Sequence, residues 1–316
     1  GRVFISGLGP DGAPVMATAE ALDQGPEAAF GPFRIARFPA RGGTVAAVAP
    51  VGAFPLTEAQ ETRWFRTALR ALEDAYGRLP LPWTAVYLLP TGRRDGILFG
   101  STRGAGGASI VVLLGARVSD AQVDGDWILT HELIHTALPD LDPRHHWLEE
   151  GLPTYLEPLL RLREGRETPE AFWAALRANL PQGEPASGDR GLDRTPTWGR
   201  TYWGGALFCF AADLRIRELT GGRQTLLDAV RGVLPAGGIA TEGRLRDLLR
   251  QADRSLPKPV LEPLYEAWAD APEGLDLAAT WARLGVAASP FDPRAPLAGL
   301  RRGWGLGSGR LEGTAP

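Results

Sequence analysis

The segment that organises this 316-residue chain is His131-Glu132-Leu133-Ile134-His135, which has the form HExxH. Histidines four positions apart lie on one face of an α-helix, about 6 Å from each other, so both imidazoles can reach one zinc ion. Glu132 lies beside the first of them, where its carboxylate can take a proton from the attacking water. The motif therefore predicts zinc ligation by His131 and His135, with Glu132 as the general base.

A hydrolytic zinc site also needs a third protein ligand and one open position. The metzincin class places a Gly and a His where this chain has Leu138 and Leu141, so that class is excluded. The segment Pro139-Asp140-Leu141-Asp142-Pro143 separates the motif from a second helical pattern. A helix beginning near His146 could supply a carboxylate ligand, and His145 or His146 is the alternative.

This second pattern resembles a known family. Trp147-Leu148-Glu149-Glu150-Gly151, followed by Thr154-Tyr155, is similar to the WLNEGFATY segment of gluzincin metallopeptidases of the aminopeptidase N type, and to the related glycyl aminopeptidase family. In that pattern the Glu before the Gly is the third zinc ligand, which the resemblance places at Glu150. The family's preceding Asn is replaced by Glu149. Thermolysin matches less well, because its acidic residue one turn after the ligand is Thr154 here.

A downstream segment extends the resemblance. Thr201-Tyr202-Trp203-Gly204-Gly205-Ala206-Leu207 is similar to the YxKGA helix start of the same families, whose Tyr donates a hydrogen bond to the developing oxyanion. The resemblance assigns that role to Tyr202. Over roughly residues 65–285 it implies an α+β, thermolysin-like zinc peptidase domain with a small N-terminal β region and a helical C-terminal half. It also implies one Zn²⁺ ion as cofactor and a peptide or protein as substrate.

These residues predict zinc-dependent peptide-bond hydrolysis, with Glu132 activating water and Tyr202 stabilising the oxyanion. The rival interpretation is a non-catalytic zinc- or peptide-binding module derived from a peptidase. Exopeptidase and endopeptidase activity both stay open. Aminopeptidase N relatives carry a GAMEN strand whose Glu holds the substrate amine, whereas the Gly-rich stretch 104–114, our candidate for a substrate-binding edge strand, has no Glu. Glu149 is a candidate replacement for that amine-binding Glu. The alternative interpretation of the glycines is a plain loop.

Composition is typical of a globular enzyme. Apolar residues make up 44% and charged residues 22%, so a large core is available. A net charge of −3 excludes the basic surface of a nucleic-acid-binding protein. Cys209, the single cysteine, lies in an apolar run and is expected to be a buried structural thiol. Tyr155 is expected in the core, and packing is the default role of Trp147, Trp173, Trp198 and Trp203.

No apolar stretch is long enough to span a membrane. The start at Gly1 without Met favours removal of a signal or anchor. We therefore expect an exported protein of a bacterium, periplasmic, secreted or envelope-associated, with a cytoplasmic location as the alternative.

The chain divides into four predicted regions: a small β-rich region 1–56, an α+β zinc-binding region 57–164, a helical region 165–290 and an extended tail 291–316. Thr57 with Gln60 has the pattern of a capping box that opens a helix. Predicted strands and helices of the zinc-binding region are 57–76, 83–89, 109–115, 124–138 and 146–163. Pro153 either kinks the last helix or marks its start. Six further helices are predicted at 168–179, 201–220, 224–233, 241–253, 260–270 and 277–284.

Overall fold

The computed structural model describes residues 3–6 and 26–306. The predicted α+β class is confirmed: the strands lie before residue 115, and helices dominate the chain after it. The four-region division of the sequence stays a prediction. By its contacts, the chain forms two compact units, Gly1–Asp140 with Leu234–Gly243 and Leu141–Val233 with Arg244–Pro316.

The strands of the first unit are β1 Val3–Ser6, β2 Ala28–Gly31, β3 Phe33–Ala40, β4 Gly43–Pro50, β5 Trp83–Pro90, β6 Ile97–Arg103 and β7 Ser109–Leu114. β1 and β2 pair with each other as a separate antiparallel sheet. The other strands form one sheet in the order β3-β4-β5-β7-β6. Pairing is parallel between β4, β5 and β7 and antiparallel at both edges. The predicted N-terminal β region thus contributes two strands to the same sheet as the zinc-binding region.

The middle of this sheet is deeply buried. The first six residues of β5 are all buried, and so are Ile110, Val112 and Leu114 of β7. Parallel strands that are covered on both faces have nearly continuous apolar sequences. That is why both strands could be recognised from the sequence.

The edge strand next to β7 is β6, and the sequence did not reveal it. We expected the substrate-binding edge within 104–114, but β7 occupies 109–114 and lies inside the sheet. The glycines before it form a loop, where a side chain on Gly104 would meet the Ile239 carbonyl oxygen at 2.2 Å. The loop interpretation of these glycines is therefore correct. β6 escaped notice because Gly100, Ser101 and Thr102 interrupt its apolar pattern.

Among its described residues the first unit has three α-helices, and the third carries the HExxH motif. α1, Glu58–Tyr76, begins with the predicted capping box of Thr57 and Gln60. The predicted helix 124–138 is shorter in the structure: α3 spans Ile128–His135, and a separate short helix, α2 at Asp120–Asp124, precedes it. Asp126, between them, accepts hydrogen bonds from the Trp64 indole at 2.7 Å and from the Leu129 amide at 3.1 Å. This buried carboxylate caps the first turn of α3 and ties it to α1.

The regular secondary structure of the second unit is helical within the described residues. Its α-helices are α4 His146–Arg163, α5 Pro169–Asn179, α6 Gly205–Thr220, α7 Leu226–Val233, α8 Leu245–Asp253, α9 Leu261–Trp268, α10 Leu277–Leu284 and α11 Ala298–Arg302. α4 begins at His146, so Pro153 lies inside the helix and does not start it. A π-helical segment, Gly199–Gly204, runs directly into α6. Among the described residues no helix is both long and apolar enough to cross a membrane, and export stays a prediction.

Two glycines set the packing of α4 against α6. A methyl group on Gly151 would lie 2.3 Å from the Gly205 carbonyl carbon, and one on Gly205 would lie 1.8 Å from the Trp147 carbonyl oxygen. Both distances are far below van der Waals contact, so the two backbones approach as closely as helices can. The same helix contact therefore requires two glycines: Gly151, the Gly of the WLxEG segment, and Gly205, the second Gly of Tyr202-Trp203-Gly204-Gly205.

The aromatic core of the second unit extends into the predicted tail. Trp304 is fully buried and packs at 5.1 Å from Trp173 and 5.7 Å from Phe210, ring centre to ring centre. Its indole donates to the Tyr155 hydroxyl at 3.1 Å, and Tyr155 donates to Asp213 at 2.6 Å. Tyr155 thus lies in the core, as expected. The last ten residues of the predicted tail, 307–316, lie outside the described residues.

The contact between α4 and α6 gives a stability prediction. In an open helix, Gly→Ala stabilises by roughly 0.5–1 kcal/mol. Gly151→Ala should instead lower the free energy of unfolding by about 1–3 kcal/mol, because the new methyl group overlaps backbone atoms. Urea titration measures the change.

Gly299→Ala in α11 is the matched control, because its methyl group would meet only the Arg302 side chain, at 4.0 Å. This control should be neutral or slightly stabilising. A Gly151→Ala protein as stable as the control would contradict the close contact.

Candidate metal centre

α3 places the HExxH side chains on a short, buried helix. The ring centres of His131 and His135 are 5.1 Å apart, with the rings inclined at 71°. His131 and Glu132 are buried at 7% and 6% exposure, and His135 is half-buried. One helical turn thus brings two imidazoles together beside a buried carboxylate, as the motif predicted.

Strand β6 lies directly against Glu132. A side chain on Gly100 would meet the Glu132 Cγ atom at 2.6 Å and its Oε1 atom at 2.7 Å. Two residues further along, the Thr102 hydroxyl donates to Glu132 Oε2 at 2.6 Å. Sequence analysis found neither residue, because a glycine and a threonine in a strand carry no catalytic signature. Only the register of the edge strand shows their place.

An exposed aromatic residue borders His131. The Trp127 ring lies edge-on to His131 with ring centres 5.4 Å apart, and 50% of Trp127 is exposed. Its position four residues before His131 puts both on one face of the helix. Sequence analysis did not single out this tryptophan.

Glu150 and Glu149 lie in the first turns of α4 and have different surroundings. Glu149 accepts hydrogen bonds from the Leu141 amide and from His146, both at 3.1 Å, so each of its carboxylate oxygens is engaged within the chain. Glu150 is half-buried, and the His146 Nε2 atom lies 3.7 Å from its Oε1 atom. The hydrogen bond to Glu149 raises the pKa of His146, and both acidic neighbours act in the same direction.

Three side chains offer a set of ligand atoms. Three ligand atoms lie within 4.8 Å of one another, one each from His131, His135 and Glu150. Within residues 3–6 and 26–306 this is the one cluster of that kind. Two imidazole nitrogens and a carboxylate oxygen are the donors that catalytic zinc sites use. Neither His145 nor His146, the alternative ligands, belongs to it.

Asp193 fixes the start of α4. Its Oδ1 atom accepts hydrogen bonds from the His145 ring at 2.9 Å and the Trp147 indole at 2.7 Å, and its Oδ2 atom accepts one from the Tyr265 hydroxyl at 2.7 Å. Burial opposes ionisation of Asp193, but these three donors outweigh it and lower the pKa of the carboxyl group. His145 is thus buried in a polar cluster of the second unit. Sequence analysis did not identify Asp193, whose contacts come from distant parts of the chain.

Tyr202 lies on the π-helical segment that precedes α6. It is half-buried, and its ring centre is 5.8 Å from that of Trp198, which is 63% exposed. A buried ion pair, Arg200 with Asp189 at 2.8 Å, anchors the segment. π-helical turns are frequent at functional sites, and the oxyanion role of Tyr202 stays a prediction.

Cys209 is a structural thiol, as expected. It is buried in α6 at 1% exposure. Burial raises the pKa of the thiol, and Asp213 nearby adds to the effect. A thiol held protonated in this way is a poor nucleophile.

Two solved structures show what the fold is similar to. An M1 zinc metallopeptidase from Deinococcus radiodurans, a mutant bound to Tyr-Ser-Ala substrate, has 20% sequence identity and a TM-score of 0.52, over 78% of this chain and 54% of that chain. An aminopeptidase N family protein from Idiomarina loihiensis has 16% identity and a TM-score of 0.58, over 81% of this chain and 50% of that one. The chain spans about half the length of these proteins.

No family model and no curated protein matches the sequence. At identities of 20% and 16%, the structural likeness establishes the fold. The chain therefore has the fold of M1 zinc peptidases, which is the fold that the WLxEG and Tyr202 segments implied.

The Asp193 cluster gives a pH-dependent prediction. Asp193→Asn should lower the free energy of unfolding by about 2 kcal/mol at pH 7, because an amide presents an N–H group to donors that need an acceptor. The folded-state pKa of Asp193 is lowered, so its stabilisation is present above the unfolded pKa of about 3.9 and is lost as the pH falls through the folded pKa.

Urea titrations of both proteins at pH 7 and at pH 3 measure this difference. The difference in the free energy of unfolding between wild type and Asp193→Asn should be smaller at pH 3 than at pH 7. A gap of equal size at both values would show that Asp193 does not act through its charge.

Proposed function

We propose that this chain is a zinc-dependent peptidase that hydrolyses peptide bonds by the gluzincin mechanism. The observation that carries the proposal is the cluster of His131, His135 and Glu150, with Glu132 buried next to the first ligand. The fold supports it, since the proteins that share the fold include an M1 zinc metallopeptidase and an aminopeptidase N family protein.

The residues fit one zinc ion. His131, His135 and Glu150 would hold the ion and would leave one position for water or substrate, as in catalytic zinc sites and not in structural ones. When bound, zinc polarises the substrate carbonyl and lowers the pKa of a water to about 7. A purely structural site would fill the fourth position with another protein ligand and would not need the carboxylate of Glu132.

Glu132 is the general base. It follows His131 directly in α3 and is buried, so its carboxylate would be close to an ion held by His131 and His135. It takes a proton from the attacking water and returns that proton to the leaving amine. Its buried position strengthens its interactions with a water or an amine nitrogen, because few solvent dipoles compete with it.

Tyr202 is the proposed donor to the developing oxyanion. The support is the Tyr202-Trp203-Gly204-Gly205 segment, its π-helical conformation and the half-buried position of the ring. A hydroxyl that bonds the oxyanion more strongly than the ground-state carbonyl lowers the activation barrier by about 3 kcal/mol.

An extended peptide is the proposed substrate. β6 is an edge strand, and such a strand binds extended chains through its free backbone groups. It passes over Glu132 at Gly100, so a peptide paired with it would run beside the general base. No residue of Ile97–Arg103 carries a carboxylate that could hold a free amine. Cleavage products therefore decide between exopeptidase and endopeptidase activity.

Metal analysis combined with peptide cleavage tests the function. We expect the purified wild-type chain to hold one zinc ion per molecule and to cleave a mixed peptide library, with the products read by mass spectrometry. Glu132→Gln should keep zinc and lose hydrolysis, because the amide cannot accept the proton. Loss of zinc from this variant would make Glu132 structural.

Two matching substitutions test whether Glu150 is the third zinc ligand. Glu150→Gln should lower the zinc content, whereas Glu149→Gln, the same change at the neighbouring position, should retain zinc. Zinc retained by both would remove Glu150 from the ligand set. A wild-type protein that holds zinc but cuts no peptide would overturn the proposal in favour of a binding module.

Tyr202→Phe tests the oxyanion donor. It should lower kcat by about 10²-fold while KM stays within about threefold, because the hydroxyl acts in the transition state. Tyr87→Phe is the control, since it removes a hydroxyl that bonds the Glu27 carbonyl oxygen at 2.9 Å in the first unit. An unchanged kcat for Tyr202→Phe would exclude Tyr202 from the site.

A further inference from the structure

We infer that Thr102 is a positioning residue for Glu132, and that its hydroxyl holds the carboxylate in the orientation needed for proton transfer. The inference rests on the proposed function. It starts from a single contact in the first unit: the Thr102 Oγ1 atom lies 2.6 Å from Glu132 Oε2. That distance is within the range of charge-assisted O–H···O⁻ hydrogen bonds, which are about twice as strong as neutral ones.

The Thr102 hydroxyl lies close to both ends of Glu132. Besides the carboxylate, Thr102 Oγ1 lies 3.0 Å from the Glu132 backbone carbonyl oxygen. A hydroxyl has one proton, and the shorter distance identifies the carboxylate as its main acceptor. The hydroxyl therefore fixes one carboxylate oxygen of Glu132 and lies close to the backbone of the same residue. A glutamate has three side-chain torsions, and holding its terminal oxygen limits how they combine.

Thr102 itself is held rigidly. It pairs with Ile110 in the β6–β7 ladder, and Gly100 pairs with Val112. Ile110 and Val112 are both fully buried, so this part of the edge strand is fixed to the core of the sheet. A β-branched residue in a strand also has a restricted χ1 torsion. The Thr102 hydroxyl is therefore held by a strand whose position is fixed by its pairing with β7.

Gly100 provides the space that this arrangement needs. Residues two apart on a strand point to the same face, so Gly100 and Thr102 both face α3. A methyl group at position 100 would meet Glu132 Oε1 at 2.7 Å and the Ile128 Cγ2 atom at the same distance. The strand therefore lies close enough to α3 for a side chain as short as threonine to reach the carboxylate.

The consequence is catalytic. A general base must be oriented before the reaction, and a displacement of about 1 Å can cost on the order of 10²-fold in rate. Without the Thr102 hydroxyl, the Glu132 carboxylate would keep its place on α3 but would lose the hydrogen bond that orients its Oε2 atom. The loss should appear in kcat, because neither the zinc ligands nor the edge-strand backbone changes.

Three variants test the inference. Thr102→Val keeps the shape of the side chain and removes the hydroxyl, whereas Thr102→Ser keeps the hydroxyl and removes the methyl group. Thr91→Val is the matched control, because it removes a hydroxyl that donates to the Leu114 carbonyl oxygen at 3.0 Å, outside both β6 and α3. Each is purified as the full chain, and zinc content, thermal unfolding, kcat and KM for one peptide substrate are measured.

Thr102→Val should lower kcat by tenfold to about 10²-fold with zinc content unchanged and KM within about threefold. Thr102→Ser should restore kcat to within about threefold of wild type, and Thr91→Val should match wild type. A wild-type kcat for Thr102→Val would overturn the inference. So would equal losses in Thr102→Val and Thr102→Ser, because that result assigns the effect to packing of the methyl group.

Failure of this inference and failure of the proposed function give different results. An active wild type with an equally active Thr102→Val protein overturns the positioning role alone. A wild type that binds zinc and cuts no peptide overturns both. If Thr102→Val unfolds at a lower temperature than wild type, Thr102→Ser decides: a restored kcat supports the inference and an unrestored one overturns it.

Discussion

The candidate metal centre depends on keeping one eight-residue helix in a fixed place. A helix as short as α3 is unstable on its own in water, because nucleation costs more than a few hydrogen bonds return. Its order must therefore come from packing. Asp126 caps its first turn and joins it to Trp64 of α1, and Gly100 and Thr102 of β6 cover its carboxylate. At its end, the Thr136 carbonyl oxygen accepts from the Ile239 amide at 3.3 Å.

These contacts explain why a distant segment belongs to the first unit. Leu234–Gly243 comes after nearly three-quarters of the chain and yet packs with Gly1–Asp140. Gly238 lies so close to Thr136 that a methyl group would meet its carbonyl oxygen at 2.2 Å, and the amides of Ala105 and Gly106 donate to the carbonyls of Ile239 and Ala240. The segment thus supports the end of α3 and the loop between β6 and β7 together.

In the second unit, three buried charged groups near the proposed site residues have partners of opposite charge or hydrogen-bond donors. Asp193 satisfies three donors at the start of α4, Arg200 pairs with Asp189 beside the π-helical segment, and Arg217 pairs with Asp213 beneath Tyr155. An unpaired charge in these places would cost several kcal/mol. The pairs therefore specify one arrangement of α4, the π-helical segment and α6, and the close contact of Gly151 with Gly205 completes it.

The sequence by itself determined what depends on local spacing. The i, i+4 pair of His131 and His135, the capping box of Thr57 and Gln60, and most helices of the second unit follow from periodicity and punctuation within a few residues. The fold class followed from short segments similar to a known family.

Only the tertiary structure decided which distant residues meet. It showed that β6 and not the 104–114 stretch is the edge, that Thr102 bonds Glu132, and that Asp193 holds His145 and Trp147. The physical reason is that threonine, glycine and aspartate are ordinary in strands and loops. Their roles here come from strand register and from contacts between segments far apart in the chain, which no local pattern records.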